Sequence, residues 1–418
     1  MIDRRDFLRG SSAALAAAWT ASRGLAAPAR AVAPSDRVRL GIIGAGSRGK
    51  FMMQRFLRAP GVSFGAVCDV YPPRLEEARE VTGEATPGFA DYRSMLDAHG
   101  RDLDAVVVAT PLHLHAEHMI ASLDAGLDVF GEKALAFTVA ECDAVVAAVE
   151  RTGRVFQVGH QYRYAPWYRR ALDRIAAGDI GEVSHVYGYW HRNYNWRRPV
   201  PEPSLERLIN WRLYREYSGG LLAELGSHHI DVANWVFGEA PSSAIGSGGI
   251  DFYRDGREVF DNVQVVFDYP SGGTLVFSSL IGNHKTGYQL VIYGTGGTVE
   301  LTLEDGFLFY EPARPNSAVP RSEGRDIKAR ASLSTAGDMP YRGAGEPIEV
   351  PADEVGDPSL LAAEAFVAAV RGRSRPFADA QVGRASAVPV AVGNRAIRSR
   401  GRVDFAPGWQ SGATSAGG

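Results

Sequence analysis

Short apolar runs alternate with amphipathic stretches along the first part of the chain. The apolar runs are rich in Val, Ile and Ala, which is typical of strands buried on both faces of a sheet. They occupy residues 38–44, 62–70, 104–110 and 155–159. Helical patterns fill the intervals, at residues 49–58, 73–82, 114–126 and 138–152. This alternation predicts an α/β fold with a parallel, doubly wound sheet.

The pattern changes in the second half, where strands dominate. Residues 261–280 predict two strands joined by a turn, and residues 289–303 predict a second such pair. Residues 313–357 are polar, as in a long loop, and helices near 358–371 and 381–398 close this part of the chain. We therefore divide the chain into a first domain at 36–160, a second at 161–405 and a flexible tail at 406–418.

The first 31 residues are typical of a twin-arginine export signal. Arg4 and Arg5 precede Phe7 and Leu8, and a run of small apolar residues and a small-x-small cleavage site follow them. Because twin-arginine substrates are exported folded, we expect a periplasmic protein that is able to carry a bound cofactor. The alternative is an Ala-rich leader on a cytoplasmic protein.

Composition excludes several classes of protein. The chain has 418 residues, and its net charge of −3 becomes about −6 without residues 1–31, which hold five basic and two acidic residues. Nucleic-acid binding is not expected, because it requires a basic face. A membrane span is not expected either, because beyond the leader no stretch of eighteen apolar residues occurs. The two cysteines provide no disulfide framework.

A glycine-rich loop follows the first predicted strand. Residues 44–49 read GAGSRG, a GxGxxG pattern at the start of a helix, and Asp69 ends the next strand. In such loops the first glycine permits a tight turn, the second lets a pyrophosphate approach, and the third allows close packing of helix and strand. We assign Gly44, Gly46, Ser47, Arg48, Gly49 and Asp69 to a dinucleotide site. Asp69 favours NAD over NADP, although Arg48 and Arg74 leave NADP possible and Asp69 could instead cap the strand end.

Three segments together identify a family resemblance. Residues 109–137 contain Thr110-Pro111, His115 and Glu132-Lys133, and residues 159–183 and 219–238 continue the match. The chain resembles the family of glucose-fructose oxidoreductase, inositol dehydrogenase and rhizopine-catabolism proteins over nearly its whole length beyond the leader. The resemblance implies a Rossmann domain followed by an α/β domain with a large open antiparallel sheet. It also implies cofactor contacts from Thr110, Pro111, His115 and Glu132, and a homo-oligomer formed through the second sheet.

Two positions depart from the family pattern. Ala134 stands where the family usually has a proline after the lysine, often with a cis bond, and cis bonds are rare without proline. Either this bond is nevertheless cis, or Lys133 is aimed differently. Glu224 replaces the usual aspartate of the later helix. The helix signature of the redox-neutral N-acetylgalactosaminidases of the superfamily is not recognised.

The resemblance implies a catalytic set of Lys133, His228 and Glu224. Lys133 would hydrogen-bond the reacting hydroxyl, and His228 would take its proton, a role that suits a group with a pKa near neutrality. Glu224 and His228 are four residues apart and would share a helical face. The alternatives are a surface ion pair for Lys133 and a structural role for His228. A metal site is not expected, because the cluster His113, His115 and His118 has no acidic or cysteine partner.

Candidate substrate contacts lie in the second domain. The aromatic segment (residues 187–217) has eight aromatic residues among 31, and aromatic faces stack on the C–H faces of sugars. We assign Tyr162, Arg163, Trp190, Trp196, Trp211 and Asp231 to substrate binding. The alternatives are a packed lid for the segment and a structural Arg163.

These features predict an NAD(P)-dependent oxidoreductase acting on a ring hydroxyl of a sugar or glycoside. Because an exported enzyme would have no pool of soluble cofactor, NAD should be held tightly and regenerated in place. One alternative is a redox-neutral NAD-dependent glycoside hydrolase, which would use the same residues. Another is a non-catalytic sugar-binding protein on the same fold.

Overall fold

The computed structural model describes residue 33 and residues 37–311 and 345–409. The predicted export signal lies outside these residues, as does most of the predicted polar loop at 313–357. Within the described part, no helix is both long and apolar enough to cross a membrane.

The first sheet has six parallel strands and confirms the predicted doubly wound architecture. Its strand order is β3-β2-β1-β4-β5-β6. These are β1 Val38–Ile43, β2 Val62–Cys68, β3 Gly88–Phe89, β4 Ala105–Val108, β5 Asp128–Gly131 and β6 Phe156–Val158. The order reverses between β1 and β4, and ligands bind in the crevice that such a switch point opens at the carboxyl ends of the strands.

Five helices accompany this sheet along the chain. They are α1 Ser47–Phe56, α2 Pro72–Thr82, α3 Tyr92–His99, α4 His115–Asp124 and α5 Val139–Thr152. Both α3 and the two-residue strand β3 lie in a stretch for which the sequence pattern predicted no element. The continuous apolar runs are buried on both faces, as in β4, where all four residues are buried.

Among the described residues, the second sheet has nine strands, in the order β14-β13-β12-β11-β7-β10-β9-β8-β15. All neighbouring strands are antiparallel except β7 and β10, which run parallel. The strands are β7 Val183–His191, β8 Ser243–Gly249, β9 Asn262–Asp268, β10 Thr274–Leu280, β11 Tyr288–Gly294, β12 Gly297–Leu301, β13 Gly306–Tyr310, β14 Glu346–Pro347 and β15 Val403–Asp404. Both predicted strand pairs, β9–β10 and β11–β12, are confirmed.

The described residues of this half form five helices, most of which pack on one face of the second sheet. The helices are α6 Pro166–Ala176, α7 Glu206–Ile209, α8 Ser227–Phe237, α9 Pro358–Gly372 and α10 Ala380–Ser399, and a π-helical turn at Leu222–Gly226 leads into α8. In β10 every second residue is buried, which shows that only one face is covered. The described part of the aromatic segment after β7 is irregular except for short helical turns.

Helix α9 packs against the first sheet, although the sequence analysis placed it in the second domain. Its buried residues Ala363, Phe366 and Val367 belong to the same apolar cluster as Leu40 and Ile42 of β1. The helix therefore completes the core of the first sheet, although it lies some 200 residues further along the chain than that sheet. In the predicted flexible tail, residues 406–409 are described, and Arg384 donates to the carbonyl oxygen of Gly408 at 3.1 Å.

Candidate active site

The glycine-rich loop has the geometry that a dinucleotide requires. Gly44 has a φ of +95°, and a Cβ there would lie 2.7 Å from the carbonyl group of Ala109. A Cβ on Gly49 would lie 2.0 Å from the carbonyl oxygen of Gly44, so helix and loop pack too closely for any side chain. A Cβ on Gly46 would meet nothing within 4 Å, because this glycine faces open space. Helix α1 begins here without a side-chain cap, so its free amides are available to a pyrophosphate.

Asp69 caps the end of β2 and lies at the wall of a cavity. Its carboxylate accepts hydrogen bonds from the amides of Ala45 at 2.8 Å and Tyr71 at 2.9 Å, so it does cap the end of β2. A carboxylate has about four acceptor positions, and Asp69 also lines the cavity described below. It retains the capacity to accept hydrogen bonds from ribose hydroxyls.

A cavity of about 830 Å³ extends from the glycine-rich loop to the start of α8. It is lined by residues of both domains, which fits a site for a cofactor and a second reactant. The predicted site residues that line it are Gly44, Gly46, Ser47, Arg48, Asp69, Thr110, Pro111, His115, Glu132, Lys133, Trp211, Glu224 and His228. The cofactor end and the proposed catalytic end therefore belong to one space.

Lys133 follows β5 and points across to the second domain. Its Nζ donates to the backbone carbonyl oxygen of Glu224 at 3.0 Å. The peptide bond between Lys133 and Ala134 is cis, which decides between the two alternatives left by the missing proline. Glu132 is not paired with Lys133 but accepts from Arg48 Nε at 2.7 Å. Burial lowers the pKa of Lys133, although the nearby carboxylates of Glu224 and Glu132 oppose this effect.

Glu224 lies in the π-helical turn rather than in a regular helix. Its carboxylate accepts from Arg212 Nε at 3.2 Å, and its carbonyl oxygen takes the bond from Lys133. Burial by itself would raise the pKa of Glu224, but the charges of Arg212 and Lys133 outweigh it and lower the pKa. The predicted sharing of a regular helical face by Glu224 and His228 is thus modified by the wider turn, a feature that is frequent at functional sites.

His228 is a buried, neutral imidazole at the wall of the cavity. It is 4% exposed, and its ring centroid lies 4.9 Å from that of Tyr162 and 5.7 Å from that of Trp190. Burial, followed by the charge of Lys133, lowers its pKa well below the ordinary value. Its Nδ1 is buried without a hydrogen-bond partner among the described residues. The side chain is therefore unprotonated at neutral pH and able to accept a proton.

Family models match both halves of the chain. A model described as an oxidoreductase family with an NAD-binding Rossmann fold matches residues 38–160, and the model of the GFO/IDH/MocA C-terminal domain matches residues 168–300. The chain belongs to the GFO/IDH/MocA family. The cofactor is NAD, and the loop, the uncapped helix and Asp69 fit it.

Several curated proteins are similar to this chain at about 30% identity. An uncharacterized oxidoreductase of Bacillus subtilis, YrbE, is 28% identical over 285 residues, which cover 68% of this chain and 76% of that protein. A glycosyl hydrolase family 109 protein of Shewanella baltica is 29% identical over 51% of this chain and 50% of its own length. The inositol 2-dehydrogenase of Salmonella typhimurium is 30% identical over 48% and 55%, respectively. The chain thus spans about half the length of these last two relatives.

Solved structures of two GFO/IDH/MocA-like proteins share the fold. The aldose-aldose oxidoreductase of Caulobacter crescentus, complexed with glycerol, has a TM-score of 0.68 at 21% identity and covers 88% of this chain and all of its own. A levoglucosan dehydrogenase in complex with NADH has a TM-score of 0.68 at 22% identity, with 88% and 99% covered. Both comparisons support the same two-domain architecture.

Two residues that the sequence analysis assigned to substrate binding lie in the protein interior instead. Arg163 is 4% and Asp231 2% exposed, and neither lines the cavity. Arg163 Nε donates to both carboxylate oxygens of Asp231, at 2.9 and 3.0 Å, and its guanidinium lies over Trp235 and Phe377. The two charges neutralise one another in the core, so the substrate-binding assignment is replaced by a buried ion pair.

One of the aromatic residues assigned to substrate binding lines the cavity, and the others pack in the interior. Of the predicted tryptophans, only Trp211 lines the cavity, whereas Trp190 and Tyr162 form a layer behind His228 and Trp196 packs on the core. His115 lines the cavity from the start of α4, and its ring nitrogens lie 2.8 Å from the carbonyl oxygen of Ala134 and 3.0 Å from that of Thr110. Gly49 packs on the loop and does not reach the cavity. No group of three potential metal ligands occurs in the described ranges.

The structure adds cavity residues that the sequence reasoning missed. Arg198 and Arg212 enter from the aromatic segment, and Arg74 was considered only for its effect on NADP. The signal that could have found them is the density of arginines among the aromatic residues of that segment. Sequence alone does not tell which of these arginines turn inward.

Proposed function

We propose that this protein is an NAD-dependent oxidoreductase that oxidises a ring hydroxyl of a sugar or glycoside. The observation that carries the proposal is that Lys133 and His228 line the same cavity as the glycine-rich loop and Asp69. A buried neutral base and a cation thus face the space next to the cofactor site. The carbohydrate names of the relatives support the substrate class.

The reaction takes place at two atoms of the substrate, the carbon that bears the hydroxyl group and the hydroxyl oxygen. When bound, NAD takes up the hydride that leaves the carbon. His228 accepts the proton of the hydroxyl group, for which its lowered pKa keeps it free. The Lys133 ammonium donates a hydrogen bond to the same oxygen as it becomes a carbonyl, and the carbonyl oxygen of Glu224 orients that ammonium. The substrate thereby loses one hydride and one proton and becomes a ketone or lactone.

Single-turnover kinetics tests these roles. Lys133→Met and His228→Ala should each slow reduction of bound NAD by about 10²- to 10⁴-fold, the usual worth of such groups. NAD affinity should remain near that of the parent protein. The matched controls are Lys285→Met and His284→Ala, because both side chains are exposed in a loop away from the cavity. A near-normal rate in either active-site variant would overturn the assignment.

A redox-neutral glycoside hydrolase is the second candidate. The similarity to glycosyl hydrolase family 109 proteins favours it, and transient oxidation would use the same Lys133 and His228. Mass spectrometry of products from a panel of glycosides separates the two. Net formation of a keto-sugar supports the oxidoreductase, whereas release of the aglycone with unoxidised sugar supports the hydrolase. A third candidate, a non-catalytic sugar-binding protein, predicts binding without either product.

We also propose that the protein is exported folded to the periplasm with its cofactor retained. The support is the Arg4-Arg5 pattern of the leader together with a nucleotide site in the same chain. Protein isolated from the periplasm should carry nearly stoichiometric NAD or NADH through gel filtration. A sugar should reduce the bound cofactor once, and a second carbonyl substrate should reoxidise it. Empty periplasmic protein that turns over only with added NAD would contradict retention.

The open face of the second sheet is the proposed contact between copies of this chain. Ile245, Val266, Val276 and Tyr187 are neighbours in register across β8, β9, β10 and β7, and all four are partly or fully exposed. Exposed apolar rows of this kind mark interfaces. Light scattering should find an oligomer for the parent protein and a monomer for Ile245→Asp/Tyr187→Asp. An unchanged mass would remove this interface from consideration.

A further inference from the structure

An arginine of the second domain contacts the glycine-rich loop of the first. Arg198 lies in the aromatic segment, and its Nη2 donates to the hydroxyl oxygen of Ser47 at 3.1 Å. Ser47 is the first residue of α1, beside the uncapped amides of that helix. Both residues line the large cavity. The guanidinium therefore lies at the place where the chain presents its free amides.

The backbone of Arg198 is held rigidly despite its position in an irregular segment. The side chain of Asn210, which is 1% exposed, accepts from the amide of Arg198 at 2.7 Å and donates to its carbonyl oxygen at 2.9 Å. Two hydrogen bonds from one buried amide fix both sides of the residue. Asn210 also donates to Glu206 at 3.0 Å, which anchors it to α7. The position of the Arg198 backbone beside the cavity is thus set by the fold.

The charges around Arg198 are positive. Burial lowers the pKa of Arg198, and the guanidinium groups of Arg212 and Arg74 lower it further. Among the described residues, Arg198 forms no ion pair with a carboxylate. The preceding residue, Arg197, differs completely, because it pairs with Asp255 and Glu206. Adjacent arginines of the same chain therefore have different roles, and only Arg198 points its charge into the cavity.

Like charges that converge beside a helix N-terminus are destabilising unless an anion joins them. Asp69 does not serve as this anion, because its carboxylate is engaged by the amides of Ala45 and Tyr71. Glu132 and Glu224 are engaged by Arg48 and Arg212. The diphosphate of NAD has two negative charges and belongs at the glycine-rich loop. It is the anion that the residues of this cavity are suited to receive.

We propose that Arg198 binds the diphosphate of NAD and acts as a latch that slows release of the cofactor. It would couple the aromatic segment to the glycine-rich loop through the bound cofactor. The inference rests on NAD binding and deepens the proposed retention by naming a residue responsible for it. An arginine is suited to this role, because its planar group donates several hydrogen bonds to phosphate oxygens.

The test measures release of NADH by the purified full chain. Release is followed by loss of NADH fluorescence after mixing with excess NAD. Arg198→Ala should raise the dissociation rate by about 10- to 100-fold, the worth of one charged hydrogen bond. Arg198→Lys should restore part of the loss. The matched control is Arg215→Ala, because Arg215 is an exposed arginine of the same aromatic segment that donates to the carbonyl oxygen of Glu258 and does not line the large cavity, and it should change the rate by less than about threefold.

Fragments of the cofactor locate the effect. Binding of ADP-ribose, which keeps the diphosphate, should weaken in Arg198→Ala by the same factor, whereas binding of adenosine should not change. An unchanged NADH dissociation rate would overturn the latch, as would an equal loss for adenosine and ADP-ribose, which would indicate a general disturbance of the fold. If the parent releases NADH within seconds and Arg198→Ala releases it faster still, the latch stands and the proposed retention fails.

Discussion

The buried pair of Arg163 and Asp231 offers a decisive test of how this interior is built. In Arg163→Met the guanidinium is lost while a side chain of similar length remains. Asp231 then stays 2% exposed with its two close hydrogen bonds removed. The contacts of the guanidinium with Trp235 and Phe377 are lost as well. The variant leaves the Asp231 carboxylate in the core without its close partner, and His160 Nδ1, 3.9 Å away, is the nearest remaining group that can carry a positive charge.

The magnitude follows from this geometry. Removing one member of a buried ion pair costs about 3–5 kcal/mol, because the remaining charge is not solvated and has lost its close partner. At about 2 °C per kcal/mol for a chain of this size, the melting temperature should fall by roughly 6–10 °C. The double variant Arg163→Met/Asp231→Leu removes both charges and should recover much of the loss. Single and double variants together thus separate a lost charge partner from a simple packing defect.

Thermal unfolding monitored by circular dichroism measures these changes, and fluorescence titration measures NAD affinity at a temperature where all variants are folded. We expect NAD affinity to change little, because neither side chain lines the cavity. The reasoning would be refuted by an Arg163→Met variant that melts within about 1 °C of the parent and shows only a raised substrate KM. That result would restore the substrate-binding role that the sequence suggested.

Three further predictions concern stability and cofactor choice. Burial lowers the pKa of His118 and of His229 from 6.5 to about 4, so below pH 6.5 the unfolded chain binds more protons than the folded chain. The free energy of unfolding should therefore fall by about 3 kcal/mol for each histidine as the pH is lowered from 6.5 to 4. Urea unfolding across this pH range measures the change. Gly49→Ala should fail to fold normally, because its Cβ would lie 2.0 Å from a carbonyl oxygen, whereas Gly46→Ala should melt like the parent but bind NAD more weakly in titrations. Asp69→Ala should narrow the preference for NAD over NADP in titrations of both cofactors, and tighter binding of NADP by the parent would contradict this reading of the carboxylate.

The sequence was sufficient to predict those elements and site residues that depend on a local pattern or on a characteristic motif. Continuous apolar runs and the glycine spacing predicted β1, β2 and the loop between β1 and α1, because each depends on neighbours in the chain. The resemblance placed Lys133 and His228, and both line one cavity. The strands and the loop depend on neighbouring residues, and Lys133 and His228 stand in characteristic sequence motifs.

The failures at the site and in the packing of α9 are long-range, unlike the local elements α3 and β3 that the pattern also missed. Arg163 and Asp231 have the residue types of a sugar site, and only the fold shows that they face one another. Helix α9 has a helical pattern, but no local signal assigns its apolar face to the first sheet. The π-helical turn that contains Glu224 accepts a hydrogen bond from Lys133, which lies 91 residues earlier in the chain. Arg197 and Arg198 are adjacent residues of the same type, but Arg197 pairs with carboxylates whereas Arg198 lines the cavity.

In the proposed reaction, the arrangement of Lys133, Glu224 and His228 meets one electrostatic requirement. A base that accepts a proton at neutral pH must resist protonation beforehand, and burial with a neighbouring cation achieves this for His228. The same cation must hydrogen-bond the reacting oxygen, so it has to be fixed without losing its charge to a close carboxylate. Lys133 meets both conditions, because its hydrogen bond goes to the neutral carbonyl oxygen of Glu224 while the carboxylate of that residue is engaged by Arg212. Glu224 thus lies in the wider turn at Leu222–Gly226 with its carbonyl oxygen bonded to Lys133 and its carboxylate bonded to Arg212.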